Sequence, residues 1–144
     1  MAPFLIERRS RLPVDEAWRR LTHWERHAVS VPLTRITVTT PPPSGTGTRF
    51  TARTRLGPLA LDDPMEVVRW QPPTGHGPGR CRLEKRGRAI TGWAEIEVYG
   101  HGAGSRARWT EELRIRGVPR VFDPLTAWAG RLVFGRALRR LLDG

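Results

Sequence analysis

Residues 106–116 alternate strictly, with Ala107, Trp109, Glu111, Leu113 and Ile115 on one side and Arg106, Arg108, Thr110, Glu112, Arg114 and Arg116 on the other. A two-residue period is that of a strand with one buried and one solvated face. Glu111 is the one ionisable group on the buried side. A carboxylate in an apolar interior is costly unless it is paired, hydrogen-bonded or near water, so its position predicts an interior that is not a solid core.

A long helix is expected next. Asp123 is placed to cap it, Pro124 suits the first helical position, and no proline follows up to Leu142, which corresponds to about 28 Å of helix. Val121, Leu125, Trp128, Ala129 and Leu132 share one side of its first turns and are expected to face the sheet. Around Gly135 the apolar stripe moves to Phe134, Ala137, Leu138 and Leu141. That shift predicts a kink at Gly135 or a second set of neighbours.

Upstream, residues 4–11 read as a first strand. Pro13 opens a helix in which Val14, Ala17, Trp18 and Leu21 keep helical spacing, with Asp15 and Glu16 near its positive end. A second short helix is expected over residues 24–29, stopping before Pro32. Strands follow at 33–40, 48–61 with an internal Gly57-Pro58 bend, 65–71, 80–85 and 89–99, separated by Pro/Gly breakers. No repeat or linker interrupts the chain, so residues 1–144 are read as a single domain. The order predicts an α+β arrangement: a curved antiparallel sheet of about seven strands around the long C-terminal helix, with two short helices after strand 1. Phe50, Ala52, Thr54 and Leu56, with Ala94, Ile96, Trp109 and Leu113, are expected to line a hollow facing Leu125, Trp128 and Leu132. The small Gly92 and Ala94 are expected to leave space there.

A net charge of +11 raises the question of nucleic acid. Of the 25 basic residues only Lys85 is a lysine, a bias that resembles codon composition more than selection of a binding surface. Many arginines fall at alternate strand positions, such as Arg53 and Arg55 or Arg80 and Arg82, and Glu95 and Glu97 are placed to oppose arginines on neighbouring strands. With no recognition helix, stacking motif or zinc spacing, a solvated sheet face is favoured and nucleic acid is not the expected partner. Cys81, the only cysteine, cannot form an internal disulfide and reads as a small buried hydrophobe. Residues 1–6 lack the pattern of a signal peptide, and no apolar run is long enough to span a bilayer, so a cytoplasmic location is expected. His23 and His27 are four apart, but no third ligand is evident; they read as exposed histidines at helix ends, and no metal or cofactor is expected. His76 and His101 lie in Gly-rich loops that edge the expected cavity mouth.

Three segments carry a resemblance to a known superfamily: Ile6-Glu7-Arg8-Arg9-Ser10-Arg11-Leu12-Pro13-Val14-Asp15-Glu16-Ala17-Trp18, Val67-Val68-Arg69-Trp70-Gln71-Pro72-Pro73, and Arg106-Ala107-Arg108-Trp109-Thr110-Glu111-Glu112-Leu113. In this order and spacing the chain resembles, over nearly its whole length, the helix-grip (SRPBCC) superfamily of birch-pollen-allergen-like proteins, START lipid-transfer domains and bacterial polyketide cyclase/dehydrase-like proteins, and most of all the last branch. The resemblance implies a cavity between sheet and helix for an apolar or amphipathic small molecule. It implies no universal catalytic set.

Glu111 is the candidate polar residue of that cavity. It can serve as general acid or base, or anchor a ligand hydroxyl or amine; alternatively it pairs structurally with an inward arginine, Arg8 or Arg69. The leading expectation is a carrier or sensor of a hydrophobic ligand, including lipid. The runner-up is a cyclase or dehydratase in which Glu111 moves a proton, and the third is a basic nucleic-acid-binding module.

Overall fold

The computed structural model describes residues 3–31, 33–75 and 77–143, with the side chains of residues 28–30 and of Leu56 outside that description. His76 also lies outside the described residues. The chain forms β1 (Phe4–Ser10), α1 (Val14–Thr22), α2 (Trp24–Ser30), β2 (Thr34–Val38), β3 (Arg49–Leu56), β4 (Leu59–Gln71), β5 (Gly79–Arg86), β6 (Ile90–His101), β7 (Gly104–Ile115), a single 3-10 turn (Arg120–Phe122) and α3 (Asp123–Asp143). The strands make one antiparallel sheet in the order β1-β7-β6-β5-β4-β3-β2, curled as a half-barrel around α3. Among the described residues no helix is long and apolar enough to cross a membrane.

Two local features set which side chains face inward. Gly57 supplies the positive φ, +61°, of a two-residue hairpin loop that closes on Leu56↔Leu59. The stretch expected as one bent strand over 48–61, followed by another over 65–71, is therefore two strands meeting at Gly57-Pro58. β4 runs unbroken through Asp62-Asp63-Pro64, and Pro64 is tolerated because the β4–β5 ladder begins only at Met65↔Lys85, leaving proline at an edge. Farther along β4 the register with β5 shifts between Val67 and Arg69. The extra residue reverses the alternation. Trp70 consequently packs edge-on against Trp18, ring centroids 5.2 Å apart, while Arg69 reaches outward to Gln71.

Asp123 adopts helical dihedrals directly after the 3-10 turn, so it is the first residue of α3 and not a non-helical cap. The face of α3 turned to the interior is Gly130, Phe134, Ala137, Leu138 and Leu141, one continuous stripe at helical spacing. Gly130 lets the helix backbone close on the buried ring of Phe4; a Cβ there would stand 2.8 Å from that ring. This contact fixes the rotation of α3 and corrects the expected one: Leu125, Trp128 and Leu132 are each more than half exposed. Gly92 leaves no hollow either, because its φ of +130° brings the Glu112 carbonyl into the space a Cβ would occupy.

Candidate functional site

A cavity of about 420 Å³ lies between β2–β7 and the helices α2 and α3. Phe50, Ala52 and Thr54 on β3 and Trp109, Glu111 and Leu113 on β7 line it. Ala94 and Ile96 are fully buried in the core but are not part of the wall, because α1 packs on β6 and β7 and fills that end of the half-barrel. Leu125, Trp128 and Leu132 are on the outside of α3, where Val133 and Phe134 meet the cavity instead.

Most of the lining is apolar and aromatic. Trp24 of α2 stacks on Phe50 at 4.7 Å, and Trp109 meets Phe134 of α3 at 5.4 Å. His27, expected at the surface, is buried beside Trp24 and Trp109. Its Nε2–H donates to the Leu21 carbonyl at 2.7 Å, which leaves Nδ1 as an acceptor. Burial lowers its pKa to about 4, so the ring is neutral at pH 7. His23 stays at the surface, 3.1 Å from Glu25. Among the described residues no group of three or more His, Cys, Asp or Glu gathers to hold a metal.

The polar part of the wall is a cluster drawn from three strands. The alternation Leu61, Asp63, Met65 on β4 and Cys81, Leu83, Lys85 on β5 turns Asp63 and Lys85 to the same side as Glu111 on β7. Lys85 Nζ lies 2.6 Å from Asp63 Oδ2, 4.0 Å from Glu111 Oε1 and 3.8 Å from Met65 Sδ. Lys85 and Glu111 side chains are each 2% exposed. The partner of Glu111 is thus this lysine and neither Arg8, which pairs with Asp143 at the end of α3 at 2.5 Å, nor the outward Arg69. Burial pushes the Glu111 pKa up; the Lys85 ammonium and the nearby Trp109 indole pull it down, and the Asp63 carboxylate pushes it up again. Burial likewise raises Asp63, with Lys85 offsetting part of that. For Lys85, burial alone would lower the pKa, but the Glu111 and Asp63 carboxylates outweigh it and hold the ammonium above its ordinary value. Asp63 Oδ1, Glu111 Oε2 and the Trp24 indole N–H are buried without a hydrogen-bond partner, and the Trp109 indole N–H, near enough to Glu111 to lower its pKa, forms no hydrogen bond of normal geometry with it. Such groups are expensive to leave unpaired, and here all four belong to residues that line the cavity.

No protein-family model and no curated protein matches the sequence. Solved structures do match over the whole length. A STAR-related lipid transfer protein from Xanthomonas axonopodis superposes with a TM-score of 0.72 at 14% identity, covering 99% of this chain and 86% of that one. The chain has the helix-grip fold. Other structures with this fold match as well: a protein from Thermus thermophilus at a TM-score of 0.72 and 14% identity, covering 98% of this chain and 94% of that one, and a Thalictrum norcoclaurine synthase mutant in complex with a transition-state analogue, at 0.68 and 12%, covering 98% and 93%. The polar part of this cavity is the Asp63–Lys85–Glu111 cluster. Of its three members the sequence pattern singles out only Glu111. The signal for Lys85 is its being the only lysine among the chain's basic residues, at an inward position of an alternating strand.

Proposed function

We propose that the protein binds a hydrophobic or amphipathic small molecule inside the helix-grip cavity, as a carrier or sensor of the polyketide cyclase-like kind. The observation that supports this reading is the 420 Å³ hollow itself, walled by aromatic and aliphatic side chains with one compact polar cluster. The lipid-transfer protein sharing the fold agrees with it. Native mass spectrometry of protein purified from its own host is expected to show a copurifying small molecule, and Ala52→Phe, which fills the cavity, is expected to lose it. Wild-type protein that arrives empty and takes up no apolar fluorescent probe would overturn the reading.

A second reading, a cyclase or dehydratase, is favoured by one observation: Glu111 is raised by burial yet stands 4.0 Å from an ammonium, with Oε2 unpartnered beside the cavity. That arrangement suits a group that gives and takes a proton. In this case Glu111→Gln binds the ligand but no longer turns it over.

A further inference from the structure

Resting on the reading of the cavity as a ligand site, we infer that its occupant is an amphipathic amine, whose ammonium group sits against Asp63 and Glu111 while its apolar body fills the aromatic hollow. The first support is the inventory of unpaired atoms. On the residues lining the cavity these are two acceptors, Asp63 Oδ1 and Glu111 Oε2, and two indole N–H donors, those of Trp24 and Trp109. An ammonium has three donors and no acceptor, so it can satisfy the two carboxylate oxygens, whereas a carboxylate or ketone could pair only with the indole N–H groups. Lys85 hydrogen-bonds Asp63 Oδ2 and Met65 and lies 4.0 Å from Glu111 Oε1, so its contacts are to the other oxygen of each carboxylate.

Charge points the same way. Two carboxylates face one lysine, so the fixed groups of the cluster leave one negative charge in excess when all are ionised. An anionic head would be repelled there, and a cationic head completes the balance. The walls are also suited to a cation, since the aromatic residues Trp24, Phe50, Trp109 and Phe134 line them and His27 is held neutral.

The test uses three probes with one body: octylamine, octanol and octanoate, titrated calorimetrically into the full chain at neutral pH. The amine is expected to bind about tenfold or more tightly than the carboxylate and measurably more tightly than the alcohol. Asp63→Asn and Glu111→Gln should each shrink the preference for amine over alcohol while leaving octanol binding in place. Should either variant fail to fold, the wild-type pH profile serves instead. The titratable groups around the site are Asp63, Glu111, Lys85 and His27, and acidification that protonates the carboxylates should weaken octylamine but not octanol. Octanol binding with no amine preference, or octanoate binding tightest, would overturn the inference and leave the cavity reading standing. Failure of all three probes to bind would overturn both.

Discussion

Lys85 holds two buried carboxylates together, and the consequences of removing each partner differ. Lys85→Met strands Asp63 and Glu111 side by side without a countercharge, and is expected to cost about 3–5 kcal/mol at neutral pH. Carboxylates so raised in the folded state are less costly when protonated, so this loss should shrink as the pH falls. Glu111→Gln leaves the 2.6 Å Lys85–Asp63 pair intact, so the buried ammonium keeps a countercharge and the cost should be smaller than that of Lys85→Met. Urea denaturation of the two variants across pH checks both expectations. His27 gives the opposite slope. Its folded pKa of about 4 lies below the unfolded 6.5, so the unfolded chain binds the extra proton between these values; stability is complete above the upper one and is lost as pH falls toward the lower, by up to about 3 kcal/mol. The pH dependence of unfolding in wild type minus that in His27→Gln should isolate this window. At this scale Glu111 was legible from the sequence because period two assigns a face without ambiguity. Asp63 was hidden because Asp-Asp-Pro reads as a turn, and Lys85 because a lone lysine amid arginines reads as surface charge.

Among the elements, β7 and α1 follow their sequence patterns closely, whereas α3 is rotated from its expected setting. Bulk alone argues for burial, and by that measure the larger stripe, Leu125, Trp128 and Leu132, belongs inside. Close approach decides otherwise: Gly130 admits the ring of Phe4, and the smaller stripe follows it inward. The same contact explains why no kink at Gly135 is needed to join the two halves of the helix. Gly130→Val should therefore overpack against Phe4 and cost about 1–3 kcal/mol, while Trp128→Ser, on the exposed face, should change stability by about 0.5 kcal/mol or less. Thermal unfolding of both variants distinguishes this rotation from the expected one, which predicts the reverse ranking. The bulge in β4 is the other element-scale feature that alternation alone could not supply, because one extra residue exchanges Arg69 for Trp70 on the inner face.

For the molecule as a whole, the inner surface of the half-barrel divides into a packed end under α1 and a hollow end under α2 and α3. Ala94 and Ala52 sample the two. Ala94→Phe forces a ring into filled space and is expected to cost about 1–3 kcal/mol, whereas Ala52→Phe enters the cavity and should leave the unfolding midpoint nearly unchanged. The outer surface is ordered by charge. Arg80 meets Glu97 at 3.2 Å and Arg82 meets Glu95 at 3.1 Å, as the alternation of acids and arginines on neighbouring strands implied, and Arg53 meets Asp62 at 2.7 Å. Arginine thus serves everywhere on the exterior, and the chain's one lysine is inside. A culture fed isotope-enriched lysine would write its label into the interior alone. The spectrum of such a sample holds one side-chain signal per labelled site, and that resonance reports on what enters the hollow with no background to subtract.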